Sequence, residues 1–282
     1  MSILVIARLT FREAARRKIL LAAFLFGLIF LAVFGVGYHF IIQGIDAGIG
    51  GASKLEIAEI SNFLMMAGLY VVNFLTVMMT VLTSVDTISG EIASGTIQTV
   101  VAKPVRRPEV VLGKWLGFAG MLTLYLLLLA GGVVGIIYLR SGYSAPHLLR
   151  GMGLMWLNAM LLLSISLFGG AMLSTLANGV MVFGLYGIAF IGGWIEQIGT
   201  YIPDTSASHT AINVGIITSL IMPGEALWRR AAYELQSPMV TAMGFSPFSS
   251  VSVPSLLMIG YAVLYTVAAL ALAISLFQKR DL

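Results

Sequence analysis

The side chains of this sequence that could do chemistry gather in one place. Asp86–Lys114 reads DTISGEIASGTIQTVVAKPVRRPEVVLGK and carries both charge signs between two long apolar runs. Such an island belongs in water, and its patterned charges have the makeup of a docking surface. Covalent chemistry finds little support. Gly113-Lys114 looks like the end of a phosphate-binding loop, but Trp115 stands where Ser or Thr is required, and the upstream glycine is missing. Any ATP hydrolysis would therefore belong to another polypeptide. Neither an H-E-x-x-H pair nor a G-x-S-x-G elbow occurs. His39, His147 and His209 are widely scattered, which argues against a metal site, and the absence of cysteine removes thiolate chemistry. The expectation is a non-enzyme without a catalytic, cofactor or metal site of its own.

The elements that must position this island are membrane spans. Apolar residues make up 59% of the 282 residues and charged ones 10%, against roughly 45–50% and about 25% in soluble domains. The formal charge of +4 reflects basic residues beside apolar runs, which membrane topology explains better than nucleic acid does. A span needs roughly 20 apolar residues of helix. Six stretches qualify: Ile19–Ile42, Phe63–Val85, Val111–Leu139, Gly151–Leu176, Val180–Ile198 and Pro254–Phe277. Each must be helical, because lipid satisfies no backbone group. The first run lacks an A-x-A site after it and is expected to be a span, not a cleaved leader. Ala177-Asn178-Gly179 predicts a tight turn between the fourth and fifth spans. The fold class is thus all-α and polytopic, with 1–282 as a single transmembrane domain.

Counting Arg and Lys with the N-terminus inside puts the larger share on the cytoplasmic side, which predicts cytoplasmic N- and C-termini. Arg229-Arg230 weakens that count. The segment 199–253 reads as an outer re-entrant or interfacial element: Ala211–Met222 is about half a span, Pro223-Gly224 breaks it, and Glu225–Leu235 resumes with charge. The competing reading makes Ala211–Met222 part of a seventh span.

Two regions carry most of the functional argument. In Ser2–Lys18, Ile3, Leu4, Ala7, Phe11 and Ala14 share a helical face, while Arg8, Arg12 and Arg16 form a row at i, i+4, i+8. This helix either lies in the headgroup layer or is a cytoplasmic extension of the first span. In the island, Ser89, Gly90 and Glu91 close or bend the second span. Ser94-Gly95-Thr96 supplies a turn and a cap for a short helix, Ile97–Ala102. Ile97, Val100 and Val101 would give that helix an exposed apolar patch rimmed by Glu91, Lys103, Arg106 and Arg107, the composition of a protein interface. Pro104 stops the helix; Pro108 and Glu109 suit the first turn of the next. The bland alternative is a solvated loop whose charges only fix topology.

The order Ser-Gly-Glu, Gly-Thr, Lys-Pro, Arg-Arg, Gly-Lys resembles the coupling region of ABC-2 type transporter permeases. Glu91, Gly95, Thr96, Pro104, Arg107, Gly113 and Lys114 are the matching positions, and the specific motif is confined to about Ser89–Gly117. Beyond it only the apolar pattern and a loose match at Met222-Pro223-Gly224-Glu225 agree. The resemblance implies a cytoplasmic coupling region at 86–114 that docks an ATP-binding subunit, and an interfacial elbow helix at 1–18. It further implies two ATP-binding subunits carrying ATP and Mg, and a second permease copy, with a homodimer favoured over a related permease. The setting would be a bacterial or archaeal cytoplasmic membrane. Most such permeases export lipids, glycans, drugs or peptides, and some relatives are tied to copper-enzyme maturation.

Two other classes stay open on the residues alone: a membrane scaffold or assembly factor docking a cytosolic partner, and a secondary transporter or channel. The last would want acids buried at mid-span, and the spans show none. Asn73 and Asn158 are expected to join helices by hydrogen bonds. Gly113/Gly117, Gly131/Gly135 and Ser166/Gly170/Ser174 allow close helix approach, and Trp156, Trp194 and Trp228 are expected as interface anchors.

Overall fold

The computed structural model describes residues 2–47, 53–95, 106–203, 205–239 and 252–280, and every regular element among them is a helix. In chain order these are α1 (Ser2–Arg16), α2 (Lys18–Asp46), α3 (Lys54–Ser84), α4 (Ser89–Ala93) and α5 (Arg107–Ser141), then α6 (Leu148–Met172), α7 (Thr175–Tyr201), α8 (Ser206–Ile221), α9 (Gly224–Leu235) and α10 (Leu256–Lys279). Six described helices are long and apolar enough to cross a membrane: α2, α3 with α4, α5, α6, α7 and α10. The all-α polytopic class stands.

The core lies where α3, α5 and α6 meet, around Met65, Leu69, Val72, Leu122, Leu129, Leu161 and Leu163. α2 and α10 pack outside it and leave Leu21, Phe26, Val33, Leu257 and Leu264 exposed, the sides that lipid would cover. Starts are fixed locally. Ser53 and Glu56 form a reciprocal capping box at the start of α3, and Pro108 and Glu109 occupy the first turn of α5 as expected.

The turn between the fourth and fifth spans is not at Ala177-Asn178-Gly179. It falls at Leu173-Ser174, where Leu173 is extended and the Ser174 hydroxyl accepts from Ala177 N–H. Asn178 instead sits in the first turn of α7 and donates to the Ser166 carbonyl at 2.9 Å and the Val85 carbonyl at 3.1 Å. The amide is better used tying three helices together than making a turn.

α8 and α9 meet at 106° across Met222-Pro223. Contacts show that the pair enters and leaves at one end of the bundle. α8 runs back antiparallel along α7, so that a Cβ at Gly199 would meet Ala211, one at Gly215 would meet Glu196, and one at Gly192 would meet Thr218. α9 then returns until Leu235 packs on Gly151 near the start of α6 and its carbonyl accepts from Asn62 near the start of α3. The bent pair thus begins and ends at the same end of the bundle.

Candidate coupling site

At the end of the bundle where α2 and α5 start and α3 and α10 finish, which we call the basic end, the second span is broken. Thr76, Thr80, Thr83, Ser84 and Thr87 each donate a hydroxyl to the carbonyl four residues earlier, a habit that loosens and bends helices. The helix yields after Ser84, turns through residues 85–88 and resumes as the single turn α4. Gly95 then closes it with φ +72°, a left-handed stop that glycine adopts without strain.

The break is held by polar contacts to α5, to α7 and to Arg17 between α1 and α2. Lys114 of α5, only 6% exposed, pairs with Glu91 and also donates to the Thr87 carbonyl at 3.3 Å. Asp86 pairs with Arg17, between α1 and α2, at 3.5 Å, and Arg17 also pairs with Glu13 at 3.1 Å. The other Asp86 oxygen accepts from Thr175 of α7 at 3.2 Å, and the Ser89 and Thr175 hydroxyls stand 2.9 Å apart. Asn178 reaches the Val85 carbonyl as described above.

Two arginines at this end close helix C-termini, where carbonyls lack partners. Arg107 donates to the carbonyls of Gln278 at 2.9 Å and Arg280 at 2.6 Å, locking the start of α5 to the end of α10. Arg280 donates to the Ala171 carbonyl at the end of α6, at 2.7 Å. Arg106 is exposed, and its backbone N–H donates to the Glu109 carboxylate at 3.3 Å.

Of the residues the sequence marks for docking, Glu91, Gly95, Arg106, Arg107 and Lys114 fall in described segments. Thr96, Ile97, Val100, Val101, Lys103 and Pro104, and with them the short helix Ile97–Ala102, lie outside the described residues. Glu91 and Lys114 turn toward each other within the chain, and Arg107 faces the last helix.

α1 packs along the first half of α5 over Gly113 and Gly117. A Cβ at Gly113 would stand 2.6 Å from Ile6 Cβ, and one at Gly117 would stand 2.7 Å from the Ala7 carbonyl oxygen. The packed face is Ile6, Thr10 and Ala14 with part of Ala7 and Phe11. Leu4 is not on it: at 73% exposure it points away from the bundle with Val5, Leu9, Arg8, Arg12 and Arg16. The face that α1 leaves outward thus mixes apolar and basic residues. Gly131 and Gly135, by contrast, have nothing within 4 Å of where a Cβ would be, and in the Ser166/Gly170/Ser174 set Asn178 of α7 reaches both Gly170 and the Ser166 carbonyl while Ser174 caps α7.

Away from this end the structure corrects two expectations. Acids are buried after all. Glu225, at the start of α9, is 5% exposed; its Cγ lies where a Cβ of Gly193 would be, and neighbouring Gly224 faces the Asn158 amide. Asn158 donates to Asn73 at 3.3 Å, the helix-joining bond expected of both. Glu196 of α7 and Arg229 of α9 form a buried pair at 2.7 Å, and Ser219 accepts from Arg229 at 3.1 Å. Sequence reasoning missed these because α9 looks like a charged surface segment until its insertion in the bundle is known. The second correction is Trp228, which is buried and packs edge-to-face on Tyr70, with centroids 5.3 Å apart, and is therefore no interface anchor.

Six helices long and apolar enough to cross a membrane, an interrupted second one stitched to its neighbours and a bent helix pair before the last define an integral membrane protein. Residues 4–282 match the family described as ABC-2 family transporter protein, and the chain belongs to that family. No curated protein matches it. As a member it is a membrane-spanning permease subunit of an ABC transporter, a family whose permeases work in general with an ABC ATP-binding partner.

Proposed function

We propose that this permease exports its substrate and that the island Asp86–Lys114 is where an ATP-binding subunit drives it. The observation that carries the reading is the attachment of both flanks of residues 96–105. Upstream, Asp86 is tied to Arg17 and Glu91 to Lys114; downstream, Arg107 is tied to the end of α10. A pull on the segment between would reach α1, α5, α7 and α10 together, which a topological loop would not require.

In this reading Thr96, Ile97, Val100, Val101, Lys103, Pro104 and the exposed Arg106 meet the ATP-binding subunit, while Glu91, Gly95, Arg107 and Lys114 hold the segment in place. Two such subunits bind ATP and Mg, and two copies of this chain form the pathway. The basic end and both termini face the cytoplasm of a bacterial or archaeal cell, following the excess of Arg and Lys there. α1 lies in the headgroup layer, with Arg8, Arg12 and Arg16 toward anionic lipid and Phe11 against the bundle.

The test is a footprint, convenient in a chain without cysteine. A single cysteine at position 103 should react with a membrane-impermeant maleimide from the cytoplasmic face, and binding of the ATP-binding subunit should protect it. One at position 230 should react only from the other face. Equal reactivity at 103 with and without the subunit, or 230 reacting from the cytoplasm, contradicts the assignment.

Buried Glu225 favours a second reading, a proton-coupled secondary transporter, because an intramembrane acid marks proton or ion paths by default. Flux abolished by Glu225→Gln and indifferent to any ATPase would support it.

A further inference from the structure

At the opposite end of the bundle, α6 and α10 start side by side and leave a cavity of about 660 Å³ between them, roofed by α9. Its mouth is charged. Arg230 pairs with Glu234 at 2.7 Å, and Arg150 approaches the other Glu234 oxygen at 3.8 Å. Two arginines thus share one carboxylate, which leaves one positive charge in excess. Arg230 is held by its donation to the Pro254 carbonyl at 3.4 Å and by Tyr233, with 5.2 Å from the guanidinium carbon to the ring centroid. Its Nε is buried and has no partner among the described residues.

Below the mouth the walls turn apolar in step along both helices. Leu154 and Leu157 descend α6 beneath Arg150, and Ile259 and Val263 descend α10 beneath Leu256. Seven residues of helix cover roughly 10 Å, about one-third of the hydrocarbon core. Leu256 and Val263 are exposed, so the groove opens sideways where lipid surrounds the spans. Gly153 keeps it clear, with nothing within 4 Å of where a Cβ would be.

We propose that this groove between α6 and α10 binds one anionic glycerophospholipid, its phosphodiester at Arg150 and Arg230 and one acyl chain along Leu154, Leu157, Ile259 and Val263. Charge complementarity sets the headgroup: two arginines sharing one carboxylate leave an excess cation at the mouth that suits a phosphate oxygen, which arginine grips through paired donors. The order of charged mouth and apolar depth sets the lipid, since a free phosphate would leave the groove below it empty. The site stands on the membrane-spanning fold alone and does not depend on how the coupling site is driven.

The experiment is native mass spectrometry of the full-length chain in detergent, titrated with dioleoyl phosphatidylglycerol or dioleoyl phosphatidylcholine. Glycerol 3-phosphate serves as a competitor that has the head without the tail. Wild type should take up one phosphatidylglycerol at least about tenfold more tightly than phosphatidylcholine, a difference of 1.4 kcal/mol. Arg150→Gln, a change at a largely exposed side chain, should remove that preference. Gly153→Leu should weaken uptake of both lipids by filling the groove, with the melting temperature unchanged. Equal affinity for the two lipids in wild type, or phosphatidylglycerol preference surviving both variants, overturns the site. Displacement by glycerol 3-phosphate at the concentration of the lipid itself would show a plain anion site and overturn the lipid assignment.

Discussion

Lys114, two turns into α5, turns back into the bundle and pairs with Glu91 of α4, across the break in the second span. Few features of the chain tie together so much. The same ammonium donates to the Thr87 carbonyl, one of the groups freed where the helix breaks. A buried pair of this kind gains little over apolar packing, but removing one partner strands the other's charge.

Lys114→Met alone should therefore lower stability by on the order of 3 kcal/mol, read as a fall in melting temperature in detergent. Adding Glu91→Gln should return most of it. A single variant as stable as wild type would mean that the pair is solvated and does not hold the break.

The seat of α1 on α5 makes a second prediction. Gly117→Leu would drive a side chain into the Ala7 carbonyl and Thr10, so it should destabilise the permease by about 1–3 kcal/mol. Gly131→Leu, on the same helix with open space around it, should stay within about 0.5 kcal/mol. Thermal melts of the two variants side by side check this. Equal losses would show that α1 is not seated there.

At the other end, Arg229→Gln should strand Glu196 and cost about 3–5 kcal/mol. Arg229→Met with Glu196→Gln should recover much of that loss. Limited proteolysis between α8 and α9 should rise in the single variant and fall back in the double. A single variant as resistant as wild type would mean that another contact holds the hairpin.

What was legible in the sequence follows from how strong each constraint is. A span needs a long apolar run, so all six were visible, and Pro223-Gly224 marked the hairpin tip because no other pair breaks helix so strongly. Gly113/Gly117 announced the close approach of a neighbouring helix. The break after Ser84 had a readable signal, the hydroxyls at 76, 80, 83, 84 and 87, though each alone is an ordinary helix residue. Asn178-Gly179 misled because local turn preference lost to three helices competing for one amide. Leu4 misled because the apolar face of α1 is wide enough that only packing on Gly113, where Ile6 sits, chooses its centre. Glu225, Arg229 and Trp228 could not be placed, since a charged amphipathic stretch reads alike on a surface and inserted in a polar-lined core. The pairing of Lys114 with Glu91 was not legible, because charge in an island says nothing of which way a side chain turns.

The central claim is that the island Asp86–Lys114 docks an ATP-binding subunit. It is tested most directly by purifying the tagged chain from its host in mild detergent and identifying what accompanies it. The account predicts a stoichiometric subunit with ATP-binding motifs, lost when Thr96→Asp and Val100→Asp are introduced while the permease itself remains folded. A permease that purifies without such a subunit, or that keeps it undiminished in the double variant, would contradict the account.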